Sequence, residues 1–555
     1  MNAVRARTPA ATVSVAAAAP LTGPSAARAA EAGASVVRAA ALAGRAPGRD
    51  RGRVPDHLPD HLPGRLAGRL QALALTLALA GCANPGAIAP QAQPLAPAQV
   101  GIDAAAAAMP PLDADWWRRL HDPALDALVE RALAAQPTLK VAAARLARAQ
   151  AALGSARAAE GPQAALDANV TRQRFSAHSI YPPPLGGAIW TLASAQLDAS
   201  LDLDLFGRQR AAIEAAIGNV RAAEADIAAA RLVLASSVVR TWAQLGRLHE
   251  QRAIAERTLA QRRELLALVE ERVRAGLDST LELHQGQGLP PDTRQQIAQI
   301  DEQLALTRHA LAALCAEPPS ALDALTPPAP AAATLALALP ATLPADLLGR
   351  RADVSAARWR VEAARGETRA ARALFYPNVN LVAFAGVASL GLDRLLRAGS
   401  EQYGVGPAIS LPLFDAGRLR ANLGAKTADL DAAVDSYNAA VLGAVHEVAD
   451  QLGSLASIGR QQREQAAAAA ASEAAYRVAQ QRYRAGLGNL LVVLNTESAV
   501  LAQRRAAAEL RWRRLDAEVA LVKALGGGYA SDATNAPVAP AAATTPVTAA
   551  AAAPR

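Results

Sequence analysis

The sequence has few aromatic residues. Tryptophan, tyrosine and phenylalanine make up 3% of the 555 residues, whereas 52% of the residues are apolar, and much of that apolar fraction is alanine. A chain of this composition does not build its core around bulky rings. Small side chains let helices approach closely, so the composition indicates a fold stabilised by helix packing.

Cysteine is also scarce, with two residues in the chain, which excludes a disulfide-rich scaffold. Cys82 ends the tetrad Leu79-Ala80-Gly81-Cys82, which follows a short apolar run at 70–80 and two arginines, Arg65 and Arg69. A basic flank, a short apolar core and small residues at the cut are typical of a signal peptide. The apolar run is too short to span a bilayer, which takes about 20 residues.

The tetrad resembles the lipobox of bacterial lipoproteins, whose cysteine is lipidated and becomes the new N-terminus. That resemblance implies that Cys82 is the lipid attachment site and that 1–81 is a leader. It also implies the outer membrane, because Ala83 follows the cysteine and not the aspartate that often retains lipoproteins at the inner membrane. Cys315 is then left without a partner and is interpreted as a helix-packing thiol.

The net charge of +8 does not indicate a nucleic-acid-binding protein. Residues 1–81 contain ten arginines, no lysine and four acidic residues, a net charge of +6, so only +2 remains for the rest of the chain. The body of the protein is nearly neutral, and we expect no nucleic-acid partner.

Proline is absent from 413–536, and the part of this stretch from Arg418 to Ala485 has apolar residues at helical spacing. A helix of that span is roughly 100 Å long and must lie against others of similar reach. A second such helix is predicted from Arg208 to about Ala275. The helix after it, Ser279 to Cys315, is expected to be interrupted at Pro290-Pro291 and the nearby glycines.

Two segments before the first long helix alternate between apolar and polar residues. In the segment 193–204, alanine and leucine alternate with residues that include three aspartates. A strand with one dry and one wet face suits a transmembrane β-barrel, but a soluble antiparallel sheet alternates in the same way. The pattern alone leaves both alternatives open.

The chain is a tandem duplication. Leu203 to Arg208 is echoed by Leu411 to Arg418, and Arg272 to Leu277 by Arg482 to Leu487, in each case some 210 residues further along. Each copy therefore has the order helix, strand, strand, long helix, turn, helix. Within each copy the two shorter helices together match the length of the long one, which predicts that they stack end to end beside it.

The predicted fold class is mainly α with a small β part. Four strands per chain cannot close a membrane barrel, because the smallest have about eight and open edges are not tolerated in lipid. The chain must therefore oligomerise, and three copies would supply twelve strands. The prediction is a tandem-duplicated long-helix α-barrel, with four strands per chain contributed to a trimeric transmembrane β-barrel.

These motifs occur twice in the same order. With this arrangement the chain resembles the outer-membrane factors, the TolC and NodT-like channels of Gram-negative bacteria. The resemblance implies a homotrimer that meets a periplasmic adaptor protein and an inner-membrane pump. It implies that the adaptor contacts the turns of the two copies, Arg274, Ala275, Gly276, Leu277 and Arg484, Ala485, Gly486, Leu487. It also implies a periplasmic gate at Leu491 and Asn495, where related channels often carry an aspartate instead of the asparagine.

The resemblance fixes the expected domains: leader 1–81, lipid tether 82–115, first repeat 116–325, linker 326–344, second repeat 345–528 and disordered tail 529–555. Drug efflux is the expected function, and export of proteins by a type I secretion system is the alternative. Scattered histidines and the lack of a phosphate-binding loop argue against an enzyme, and no cofactor is expected. A lipid-anchored coiled-coil scaffold is the remaining alternative, although a scaffold has no use for amphipathic strands.

Overall fold

The computed structural model describes residues 86–102, 112–178, 180–325, 334–335, 347–412, 414–415 and 417–530. The predicted leader, Cys82, most of the linker 326–344 and the tail from residue 531 lie outside the described residues. Leu335, in the described part of the linker, is buried, and its backbone N–H donates to Glu518 Oε2 at 2.8 Å.

The first repeat contains two short helices, two strands, a long helix and a further helix. They are α1 (Pro123–Ala135), α2 (Pro137–Ala158), β1 (Gln163–Arg174), β2 (Ile189–Asp202), α3 (Arg208–Arg274) and α4 (Thr280–Leu314). A 3₁₀ turn at Trp116–Leu120 precedes α1, whose N-cap Asp122 accepts hydrogen bonds from the backbone of Ala124 and Leu125.

The second repeat has the same order, as the duplication predicted. After a single helical turn at Leu347–Arg350 come α5 (Ala352–Ala373), β3 (Asn378–Leu390), β4 (Glu401–Ser410), α6 (Arg418–Arg484) and α7 (Leu490–Ala524). The long helices α3 and α6 have 67 residues each. Both begin after a glycine with positive φ, Gly207 or Gly417, a conformation that glycine adopts without strain. The predicted fold class, mainly α with four strands, is confirmed.

The interruption expected in the fourth helix is wrong, because α4 continues through Pro290 and Pro291. Pro290 is buried, and the neighbouring Leu289 carbonyl accepts hydrogen bonds from Thr293 Oγ1 and from Arg262 of α3. Packing along α3 therefore holds the segment helical in spite of the missing backbone N–H groups. None of the described helices combines the length and the apolarity needed to cross a bilayer.

In each repeat, the two shorter helices lie one after the other beside the long helix. Near the start of α3, Gln209 Nε2 donates to the Ala156 carbonyl of α2, whereas Arg252 and Arg262, further along, pair with Asp301 and Asp292 of α4. In the second repeat, Lys426 near the start of α6 pairs with Glu367 of α5. In the second half of α6, Glu473 pairs with Arg504 of α7. Each long helix thus has one short helix beside its first half and another beside its second half.

The closest contact between the two repeats is along α3 and α5, which pack side by side in opposite directions, with Glu214 beside Arg369 and Asp226 beside Arg360. A Cβ on Gly218 would lie 2.9 Å from the Ala363 backbone nitrogen, and a Cβ on Gly366 would lie 2.8 Å from the Ala215 nitrogen. Such separations are too short for any side chain, so two reciprocal glycine–alanine contacts bring the backbones together. The largest core cluster lies further along α3, where α1, α4 and α7 surround Trp242 and Trp512.

Residues 86–102, within the segment predicted as a tether, lie along α6. The carboxylate of Asp431 accepts hydrogen bonds from the backbone N–H groups of Gln91 and Ala92, and Asn438 Oδ1 accepts one from Leu95. Ile88 packs against the cluster of Phe375 and Leu419, at the level where β3 and α6 begin. The described part of the tether is therefore docked onto the helices.

Candidate functional site

The four strands form one antiparallel sheet in the order β1-β2-β3-β4. The register aligns apolar residues of all four strands in rows, for example Leu166, Leu197, Ala385 and Tyr403. The next row contains Asp167, Gln196, Gly386 and Gln402. Because neighbouring residues of a strand point to opposite faces, the sheet has an apolar face and a polar face.

Polar side chains form hydrogen bonds on the polar face, although Phe384 and Val382 also lie on it. Gln402 Nε2 donates to Gln196 Oε1 at 2.7 Å, passing over Gly386, and Gln196 Nε2 donates to Asp198 Oδ1 at 2.6 Å. A Cβ on Gly386 would lie 2.7 Å from the Gln196 Cα, so this close approach requires glycine. At the end of β2, Arg208 Nη2 donates to Asp202 Oδ2 at 2.6 Å and extends the polar face to the start of α3.

Much of the apolar face is exposed. Leu166 is 74% exposed and Tyr403 is 85% exposed, and no described residue packs over this surface in a core cluster. Large apolar areas of this kind are rare on soluble monomers and indicate contact with a partner or with a membrane. The predicted alternation of β2 is therefore a property of the whole sheet.

Both edges of the sheet are open. Among the described strands, β1 pairs only with β2 and β4 pairs only with β3. Unpaired backbone groups along a strand are a template for further strands. Since β1 and β4 run in opposite directions, β4 of one copy can pair antiparallel with β1 of another.

At the opposite end of the long helices, the two turns end α3 and α6 in the same way. Leu277 N–H donates to the Arg272 carbonyl and Gly276 N–H to the Val273 carbonyl; Leu487 and Gly486 make the equivalent bonds in the second copy. Both glycines have positive φ, 71° and 76°. These are Schellman C-caps, so the glycines have a structural role.

The side chains beyond these caps point outward. Leu277 is 65% exposed and Leu487 is 73% exposed, and Arg274 and Arg484 are exposed beside them. Each turn leads into a capped helix: Ser279 and Glu282 form a capping box at α4, and Asn489 Oδ1 accepts from the Val492 N–H at α7. The eight residues predicted to contact the adaptor, here called the tips, thus lie at two hydrogen-bonded turns, each with one exposed leucine.

A partly buried polar cluster joins the two turns. Arg272 donates through Nε and Nη2 to both carboxylate oxygens of Asp278, at 2.9 and 3.0 Å, and its guanidinium lies 4.5 Å from the centre of the Tyr483 ring. The Tyr483 hydroxyl donates to the same carboxylate. Arg272 and the tyrosine together hold the pKa of Asp278 below its usual value, although burial opposes them. Burial and the hydrogen bond to Asp278 raise the pKa of Tyr483.

Sequence reasoning missed this cluster. The signal was a departure from the repeat, because Asp278 corresponds to Gly488 and Val273 to Tyr483 in the other copy. A second missed pair lies nearby, where Arg262 Nε is 3.4 Å from Glu497 Oε2. Burial raises the pKa of Glu497 in spite of this arginine.

Leu491 and Asn495, the predicted gate residues, lie one turn apart on α7. Their neighbours Leu490 and Val493 are buried in the cluster that contains Tyr483, whereas Leu491 is 57% exposed and Asn495 is also exposed. The two residues therefore share a face that no described side chain covers. Among the residues that the structure describes, no group of histidine, cysteine and acidic side chains is arranged to hold a metal ion.

The family model described as outer membrane efflux protein matches residues 128–317 and 343–527, one segment in each repeat. The chain is 34% identical over 470 residues to the multidrug resistance outer membrane protein MdtP of Escherichia coli, covering 82% of this chain and 95% of that protein. It is 38% identical over 373 residues to the fusaric acid resistance protein FusA of Burkholderia cepacia, covering 64% of this chain and 68% of that one.

Two solved structures have the same fold. The outer membrane protein VceC of Vibrio cholerae is similar with a TM-score of 0.71 and 34% identity, covering 75% of this chain and 100% of that one. The open state of the Neisseria gonorrhoeae outer membrane channel MtrE is similar with a TM-score of 0.67 and 27% identity, covering 80% of this chain and 99% of that one.

Proposed function

Since the chain belongs to the outer membrane efflux protein family, we propose that three copies of it unite into a drug-efflux conduit across the outer membrane and the periplasm. Its function is that of an outer-membrane efflux channel, and the proteins similar to it are outer membrane proteins named for multidrug and fusaric acid resistance.

One observation carries the proposal: an amphipathic four-stranded sheet with two open edges, attached to two 67-residue helices. Three such sheets joined edge to edge contain twelve strands, enough to close a barrel of about eight strands or more. Closure of the barrel gives the backbone groups of β1 and β4 hydrogen-bond partners. It also places the apolar face against lipid and the polar face against water. At about 1.5 Å per residue, α3 and α6 then extend about 100 Å into the periplasm.

The tips are the proposed contact with a periplasmic adaptor protein, through which an inner-membrane pump supplies the substrate and the energy. Exposed Leu277 and Leu487 offer apolar contacts, while Arg274 and Arg484 add positive charge beside them. Leu491 and Asn495 line the proposed gate, in which leucine side chains narrow the passage and the amides leave it without fixed negative charge.

Cys82 is the proposed lipid attachment site. Ile88 lies where β3 and α6 begin, at the membrane end of the helices in this assembly. Six residues of chain reach at most about 20 Å, so Cys82 stays within reach of the same membrane surface. A Cys82→Ser variant is expected to lose incorporation of labelled palmitate while the wild type incorporates it, and equal labelling of both would contradict this part of the proposal.

Deletion of this gene from its own host tests the efflux function. Drug susceptibility is expected to rise several-fold and to return to normal with the full chain. A Leu277→Asp, Leu487→Asp double variant is expected to restore resistance poorly although it reaches the outer membrane in normal amounts. The control is Leu306→Asp, at an exposed leucine of α4 outside the tips. Full resistance from the tip variant would contradict the proposed adaptor contact.

A further inference from the structure

A cluster of arginines lies at the junction between the sheet and the helices. Arg210 of α3 with Arg369 and Arg372 of α5 line a cavity of about 270 Å³, together with Phe206 and Tyr376. The two rings are stacked, with centroids 5.0 Å apart and planes inclined by 10°. All three arginines are exposed, so their charges are available to a ligand.

Only one of these charges is compensated. Arg369 Nη2 lies 2.5 Å from Glu214 Oε2, whereas the described residues include no ion-pair partner for Arg210 or Arg372. Three guanidinium groups against one carboxylate leave the cavity with a net charge of +2. Guanidinium groups bind phosphate oxygens through paired, charge-assisted hydrogen bonds.

The cavity lies on the side of α3 that faces away from the polar surface of the sheet. Arg208, which pairs with Asp202 of that surface, lines a different cavity together with Asn219 and Lys426. At 100° per residue, Arg210 and Glu214 lie on a face of α3 well separated from that of Arg208 and Asn219. The arginine cluster is therefore on the side of the sheet's apolar face, next to the exposed Leu205 and Phe206.

We propose that Arg210, Arg369 and Arg372 bind the phosphate group of a phospholipid in the periplasmic leaflet of the outer membrane. This inference rests on the membrane placement proposed above. The stacked rings of Phe206 and Tyr376, with the tyrosine hydroxyl at one edge, are typical of the level of lipid headgroups. The acyl chains of the same lipid then lie beside the apolar face of the sheet. The site fixes the depth of the sheet in the bilayer by charge as well as by apolar contact.

The test is native mass spectrometry of the full chain, purified in detergent and titrated with phosphatidylglycerol. The Arg210→Gln, Arg372→Gln double variant is expected to bind this lipid about tenfold more weakly than the wild type. The control is Arg294→Gln with Arg463→Gln, which removes two charges from exposed, unpaired arginines on the described helical shaft and is expected to bind as the wild type does.

Two further titrations identify the ligand. Inorganic phosphate is expected to compete poorly with phosphatidylglycerol, and diacylglycerol, which lacks the phosphate, is expected not to bind at this site. Equal loss of lipid in the cluster and control variants, unchanged binding in the cluster variant, or complete displacement by inorganic phosphate would each overturn the proposal. The same spectra report how many chains assemble, so failure of the lipid site is distinguishable from failure of the channel.

Discussion

Tyr483, near the end of α6, donates a 2.5 Å hydrogen bond from its hydroxyl to Asp278 Oδ2, in the turn between α3 and α4. Tyr483 is fully buried, and Asp278 also binds Arg272 with both oxygens. A single carboxylate therefore links the tip of the first repeat to the tip of the second. If one tip moves, either these hydrogen bonds break or the other tip moves with it.

Replacing Tyr483 by phenylalanine is expected to weaken the link. The ring still fits its site, but Asp278 loses one of its donors, which costs about 1 kcal/mol or more because the acceptor is charged. Hydrogen exchange of the backbone amides in 276–283 measures this locally and is expected to accelerate. Tyr476→Phe is the matched control, since the hydroxyl of this half-buried tyrosine has no hydrogen bond to a described residue. Equal hydrogen-exchange rates in both variants would show that the hydrogen bond between Tyr483 and Asp278 does not stabilise the turn.

The pH dependence of stability is expected to change in a Glu497→Gln variant. Burial raises the pKa of Glu497 in the folded protein above its usual value of 4.5. The folded chain thus binds the proton more tightly than the unfolded chain, and wild-type stability falls as the pH rises from 4.5 through the raised pKa. Glutamine cannot ionise, so the stability of the variant lacks this fall between pH 4.5 and the raised pKa.

Thermal unfolding midpoints measured from pH 4.5 to 8 check this prediction. Glu302→Gln, at an exposed glutamate of α4, is the control and is expected to keep the wild-type profile. If the Glu497→Gln and wild-type profiles run parallel over the whole range, the buried carboxylate does not titrate as described.

The close packing of α3 against α5 predicts opposite effects for two glycine substitutions. Gly218→Ala places a Cβ 2.9 Å from a backbone nitrogen of the partner helix, so the helices must separate, at a cost of about 1 to 3 kcal/mol. Gly443→Ala in α6 meets no atom within 4 Å and is expected to be neutral or to stabilise the helix by up to about 1 kcal/mol. Denaturation of both variants in detergent measures the difference, and similar values would contradict the close packing of α3 against α5.

The gate prediction concerns Leu491 and Asn495. Leu491→Ala is expected to widen the passage and to let large antibiotics leak into the cell, which raises susceptibility to them. Asn495→Asp adds a ring of three carboxylates in the proposed trimer and is expected to increase cation selectivity in planar bilayers. Leu306→Ala, at an exposed leucine on the shaft, is the control. Unchanged susceptibility and selectivity in the gate variants would place the constriction elsewhere.

Much of this fold is predictable because its signals are local and repeated. The long helices follow from the absence of proline and from regular apolar spacing, and their observed ends, Arg274 and Arg484, are within one residue of the glycine-based predictions. The strands follow from alternation, and the repeat order from echoed motifs. The continuity of α4 was not predictable, since Pro290 normally breaks a helix and only packing against α3 overrides that preference.

Contacts between residues distant in the sequence were not predictable either. Asp278 and Tyr483 are 205 residues apart, and their meeting depends on how the repeats dock, which no local pattern encodes. The same holds for Arg210, Arg369 and Arg372, which come together only because α3 packs beside α5. The apolar rows of the sheet are intermediate, because alternation predicts the faces of each strand but only the register aligns them.

The most direct test of the central claim is the mass of the assembled protein. Native mass spectrometry of the full chain, extracted from outer membranes in mild detergent, counts the copies that close the sheet edges. We predict one species of three chains. A single chain that remains soluble and folded without detergent would contradict the account, because its apolar sheet face and both open edges would then need no partner.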